Sequence, residues 1–463
     1  MSFASLEFLI FFLVVFVVVL FLQKLKNTIY KELFLLGASY FFYGYWDWRF
    51  SFLLLFVTVA SYITALFAHK KFALAVGVVV PLVVLGFFKY FNFFLDSFGM
   101  LINKDIGTLA IILPVGISFY TFQALSYVID VKRGKIQAEK NFIKLALYIS
   151  FFPQLVAGPI VKASEFLPQL REDRRINLKN IETGIQLMLF GLVKKIVIAD
   201  HLSVFVDDVF NAPVAYSWIT IVLAVISYSI QIYFDFSGYS DIAIGCAKCF
   251  GYDFCPNFNM PYISEDVTSF WRRWHISLSS WLKEYLYIPL GGNRKGKTRR
   301  YINLFITMLL GGLWHGANWT FVLWGALHGG ALCVDKLIPK KKKRKAVIRV
   351  VSALGTFLFV SFTWIFFRAD SFSNAWLIIK GIFTLQGGIM QPFFWTFIAI
   401  VVVCVGTVVA IIRAKKHNKY EVNGFYPLLK LNTVLGLTVL FVVCGLILGL
   451  AFTGEHPFVY FQF

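Results

Sequence analysis

Ionisable side chains inside apolar segments are costly, so each one in this chain marks a candidate site. Three of the seven histidines qualify. His315 lies in Leu310-Gly311-Gly312-Leu313-Trp314-His315-Gly316-Ala317-Asn318-Trp319. Gly311 and Gly312 precede it by one helical turn and Gly316 follows, so neighbouring backbone or a substrate can approach the imidazole closely. An imidazole shielded from water stays neutral at pH 7, the form that accepts a proton from a hydroxyl, which makes His315 a candidate general base. The blander role is a hydrogen bond to a neighbouring helix. His275 shares an apolar stripe with Trp271, Trp274 and Leu278, where packing and a place on a substrate channel are both open. His328, in Gly325-Ala326-Leu327-His328-Gly329-Gly330, reads as helix packing. Asp235 ends an apolar run, either as a buried hydrogen-bond partner or as part of a site. Cys246-Ala247-Lys248-Cys249 with Cys255 has no second CxxC pair, so cysteine packing is expected and no metal.

The elements that must position these residues are membrane helices. Hydrophobic residues make up 59% of the 463 and charged ones only 15%, far from the balance of a soluble domain. At about 20 residues per span the apolar content supplies on the order of a dozen helices. The expected fold is all-α, a polytopic transmembrane bundle of about 11 to 13 spans with re-entrant and interfacial helices. The net charge of +20 could suggest nucleic acid, yet the cations sit between apolar segments, at Lys24 to Lys31, His69 to Lys71, Lys132 to Lys135, Arg294 to Arg300, Lys340 to Lys345 and Arg413 to Lys419. Such clusters orient helices by the positive-inside rule, so a bilayer and no nucleic acid is the partner they imply.

Spans are expected at 2–22, 32–48, 50–68, 72–95, 108–130, 181–200, 216–236, 301–316, 320–337, 346–367, 393–412 and 431–452. Residues 141–160 are apolar but carry Pro153, Gly158 and Pro159, and basic residues flank both sides, so a re-entrant segment is expected. Residues 237–300 are polar and aromatic; within them 271–285 reads as one amphipathic helix at the inner interface. The chain divides into N-terminal helices (1–130), a catalytic core (131–345) and C-terminal helices (346–463) of a single integral membrane domain.

Five ordered motifs carry a likeness: Phe151-Phe152-Pro153-Gln154 with Ala157-Gly158-Pro159-Ile160, Phe234 to Asp241, Phe270 to Ser279, Tyr287 to Asn293 and Gly311 to Trp319. Together they resemble the membrane-bound O-acyltransferase (MBOAT) family over most of the chain, most densely from about 150 to 330. The resemblance implies acyl transfer from a cytoplasmic thioester donor to a hydroxyl, with His315 catalytic and His275 on the tunnel between the two faces. It also implies an extracytoplasmic polysaccharide acceptor, a separate partner acyltransferase protein, and a multi-pass location in the cell membrane. No cofactor is implied beyond the donor substrate, acetyl-CoA or another acyl thioester. Arg272 and Arg273 could hold its phosphates, Asn318 could stabilise an oxyanion, and Trp274, Trp314 and Asp235 complete the expected substrate contacts.

Three rivals follow from the same residues. D-alanyl transfer to teichoic acid would use a carrier protein as donor. A glycan or acyl-group transporter would also use intramembrane histidines, although no internal repeat is evident. A scaffold would only position other enzymes.

Overall fold

Lipid as solvent demands that every backbone polar group be satisfied within the protein, which leaves helices or closed barrels. The computed structural model, which describes residues 1–25, 27–156, 158–172, 174–338, 345–402, 405 and 433–451, is all-helical, with one isolated bridge between Tyr216 and Ile389 among those residues. Four of its helices are long and apolar enough to cross a membrane: Arg49–Leu66, Lys71–Ile102, Trp218–Cys249 and Ala346–Arg368. Leu6–Leu22, Phe372–Phe383 and Val434–Leu450 are apolar but shorter. Whole helix faces are left bare of protein; Leu6, Ile10, Val14, Val17 and Phe21 are all exposed on the first helix. That arrangement costs free energy in water and none in hydrocarbon.

By packing, the described residues fall into two units. One is drawn from 1–190, 239–255 and 433–440, the other from 191–238, 256–402 and 441–451. In the first, Phe8, Phe42, Phe151, Phe152 and Phe166 are buried. The expected re-entrant segment is here a broken helix, Phe142–Ser150 followed by Phe152–Leu155. Pro153 sits in the first turn of the second piece, and residues 145–155 are buried throughout, so the interrupted backbone is covered by protein.

Indole rings dominate the core of the second unit: Trp271, Trp274, Trp324 and Trp364 are buried together with Phe270, Phe321 and Phe367. The helices Gly296–His315 and Trp319–Leu337 pack closely. A Cβ on Gly312 would stand 3.0 Å from the Cα of Gly325, so only glycines allow this approach. Thus the glycines flanking His315 admit protein rather than leaving room for a substrate. Gly311 faces Leu282, and Gly316 faces the Phe321 ring.

Several expected boundaries move. The span at 108–130 is helical only over Ile117–Lys132, because Gly107, Pro114 and Gly116 interrupt the chain before it. The span at 216–236 runs on to Cys249, a 32-residue helix that carries the polar run Ser237 to Asp241 inside it. Buried neighbours outweigh polarity there, since Ser237, Tyr239 and Ser240 are all nearly inaccessible. The amphipathic helix at 271–285 is broken: Val267–Trp271 ends, Ile276–Leu282 begins, and His275 between them takes φ 41°. Phe372–Phe383, capped by the Ser371 hydroxyl, is an additional helix. Of the span at 393–412 the described part is helical over 394–402. Its remainder, with Ala157, Lys340 to Arg344, Cys404 and the loop 413–419, lies outside the described residues.

Candidate active site

His315 is the last residue of Gly296–His315, and the chain turns extended at Gly316. From Arg300 the helix rises unbroken for 15 residues, about 22 Å. The imidazole is 4% exposed and ringed by Trp314 and Trp324 at 5.1 Å and Phe367 at 5.2 Å between centroids.

His275 reaches the same place from a different direction. Its left-handed backbone, unusual for a side chain with a Cβ, is fixed from both sides. The Asp266 carboxylate caps the preceding helix through the Ser269 N–H at 2.7 Å. Beyond the break, the Asn257 carbonyl accepts from the Ile276 N–H, and its side-chain oxygen accepts from the Ser277 hydroxyl at 2.6 Å. Arg273 donates to the Asn259 carbonyl at 3.1 Å and so helps to hold this loop. The His275 ring is fully buried against Phe236, 4.6 Å away edge-on, and lies 6.4 Å from His315. Trp314 touches both imidazoles, at 6.0 Å from His275. Two histidines 40 residues apart in sequence are therefore neighbours in one aromatic chamber.

A cavity of about 510 Å³ opens beside them. It is walled by Trp271, Ile276, Ser279, Ser280, Tyr287 and Met308, with Arg272, Lys283 and Lys336 as its charged residues and no carboxylate among those lining it. The turn Tyr287 to Asn293 contributes its two end residues to the lining; the positive φ values of Gly291 and Gly292, 117° and 51°, close it, and Tyr287 donates to the Asn293 side chain. Neither imidazole lines the cavity. Ile276 follows His275 directly, Met308 is two turns before His315 on its helix, and Trp271 contacts Trp324, which contacts His315. Two successive ring contacts, Trp271 to Trp324 and Trp324 to His315, thus link the cavity lining to His315.

The other expected site residues have definite positions. Arg272 is exposed on the cavity wall, whereas Arg273 is engaged with Asn259. Trp274 is wholly buried, stacked on Phe270 at 5.5 Å and against Phe258 and Trp364, in the core and not on the cavity. Asp235 is ion-paired to Lys195 at 2.8 Å, and Lys195 also meets Asp200 at 2.6 Å. Asn318 caps Trp319–Leu337 by accepting from the Thr320 N–H, and its amide donates to the Asp370 carbonyl. To serve an oxyanion that amide would first have to leave Asp370. Cys246 packs on Met188, and Cys249 on Gly184. The sequence reading missed Lys195, although a lysine in an apolar run is as costly as Asp235 and the two could have been paired by sign. Lys283, Tyr287 and Trp324 carried no such signal.

The profile described as "MBOAT, membrane-bound O-acyltransferase family" matches residues 136–367. The "Probable alginate O-acetylase AlgI" of Pseudomonas aeruginosa is 44% identical over 83% of this chain and 75% of its own length. The "Peptidoglycan O-acetyltransferase" of Helicobacter pylori is 40% identical over 78% of this chain and 75% of its own. A "Teichoic acid D-alanyltransferase" of Streptococcus thermophilus is more distant, 28% identical over 51% of this chain and 60% of its own. A match of that extent through every element that builds the chamber makes this chain a member of the membrane-bound O-acyltransferase family, an O-acyltransferase of the membrane.

Proposed function

We propose that this enzyme moves an acetyl group from a cytoplasmic thioester, acetyl-CoA, to a hydroxyl of an exported polysaccharide, with His315 as general base. The observation that carries this reading is the pair of buried imidazoles beside a cavity whose charged lining is wholly cationic. A donor bearing phosphates would be held by Arg272, Lys283 and Lys336, leaving its acyl arm to pass the Trp271 and Trp324 rings toward the histidines. The acceptor hydroxyl gives its proton to the His315 imidazole while its oxygen attacks the thioester carbonyl. The C–S bond then breaks, and the departing thiolate takes up a proton. His275 and Trp314 would line the passage between donor and acceptor. Two relatives at 44% and 40% identity act, by their names, on alginate and on peptidoglycan, which supports a glycan acceptor outside the cell membrane. A separate extracytoplasmic acyltransferase partner and a multi-pass arrangement of about 11 to 13 spans belong to the same proposal.

Purified protein in detergent, supplied with radiolabelled acetyl-CoA or with a D-alanylated carrier protein, tests the donor. Label should leave acetyl-CoA; transfer from the carrier alone would replace this reading with D-alanylation. His315→Ala should leave the protein folded and lower transfer by about 10² to 10⁴, the usual worth of a general base. Undiminished transfer by that variant would remove His315 from the reaction.

A further inference from the structure

His328 is a third buried imidazole, outside the chamber yet tied to it. It is inaccessible to solvent and makes hydrogen bonds at both ring nitrogens. The Thr363 hydroxyl donates to the Val360 carbonyl at 2.7 Å, so its oxygen is left to accept. The His328 Nε2 therefore carries the proton and donates to Thr363 Oγ1 at 3.0 Å. That tautomer leaves the Nδ1 lone pair free to accept from the Trp271 indole N–H at 3.2 Å. Every bond in the chain Trp271, His328, Thr363, Val360 has a donor facing an acceptor, and each implies the next.

Trp271 is one of the residues that line the cavity. Its ring meets Trp324 at 5.7 Å, Trp324 meets His315 at 5.1 Å, and His328 itself lies 4.7 Å from Trp324. Both rings that link the cavity lining to His315 thus rest on one imidazole. An indole at a cavity wall with its N–H unpaired has empty volume to rotate into.

We infer that His328 is a positioning residue for donor binding: it pins the Trp271 ring in the cavity lining and so fixes the shape of the surface that the donor meets. This rests on the reading of the cavity as the donor site. His328 touches neither donor nor acceptor, and its effect runs through Trp271. Because the role is geometric, it sets how well the donor is held more than how fast the held donor reacts.

The test compares His328→Ala with His328→Asn, whose side-chain oxygen can take over the acceptor position of Nδ1. Two readouts are used. In steady-state transfer from acetyl-CoA, H328A is expected to raise the donor KM about tenfold with kcat changed little, and H328N to recover most of that loss. In 5-fluorotryptophan-labelled protein, the Trp271 resonance, assigned by its absence in Trp271→Phe, should shift or broaden in H328A and return in H328N. A loss confined to kcat or to the yield of folded protein, an unmoved Trp271 resonance in H328A, or equal damage by both variants overturns the proposal. If wild-type protein transfers nothing from acetyl-CoA, the donor reading falls, and the fluorine spectra alone then decide whether His328 holds the indole.

Discussion

At the scale of single residues, burial and pairing identify the polar groups that hold the fold. Lys195 lies between Asp200 and Asp235, and the three are almost wholly buried. Removing one partner of such a group is far costlier than the pair is worth, because the remaining charges keep their desolvation penalty. Lys195→Met is expected to lower stability by about 3–5 kcal/mol, and adding Asp235→Asn should restore part of it. Thermal unfolding in detergent reads this; equal stability of wild type and K195M would show that the triad carries no such load. Asn318 is read similarly as a cap: Asn318→Ala should cost about 1 kcal/mol, whereas Asn318→Asp, which keeps an acceptor for the Thr320 N–H, should cost little. The two variants unfolding alike would contradict the cap. His315 and His275 were both legible from residue type and context, since an imidazole in an apolar run is conspicuous. Their adjacency was not legible, because 40 residues and a backbone break lie between them.

At the scale of elements, the site depends on one close helix pair and one broken helix. Gly325 faces Gly312 and Leu309 so tightly that a Cβ there would stand 3.2 Å from two Cα atoms. Gly325→Ala is therefore expected to push Gly296–His315 outward, cost about 1–3 kcal/mol, and impair transfer by displacing His315. Wild-type melting and activity in that variant would mean that the pair can spread without consequence. The long apolar helices were readable from hydropathy, and Trp319–Leu337 begins within one residue of its expected start. The periodic stripe from Trp271 to Tyr285 misled, since 3 and 4 residue spacing persists across a break when both short helices bury the same face. Nothing local announces that break. It is imposed by Asn257, which lies 18 residues before His275 and accepts from Ile276 and Ser277 beyond it.

At the scale of the whole molecule, charge placement organises the chain. If the basic loops face the cytoplasm, as the positive-inside rule has it, cysteines introduced singly at Arg133 and Arg294 and tested with an impermeant reagent in intact cells are expected to stay unlabelled. Labelling of either from outside would reverse the orientation assigned here. The chain carries a surplus of 20 positive charges, and the cavity carries Arg272, Lys283 and Lys336 without a lining carboxylate. An all-positive mouth attracts a polyanion from a distance, and dissolved ions shorten that reach, from about 10 Å at about 0.1 M to about 3 Å at about 1 M. If this cavity takes the proposed acetyl-CoA donor from the cytoplasm, donor capture should weaken as ionic strength rises while the chemical step is spared, so efficiency at low donor concentration would track the ionic conditions at the inner leaflet.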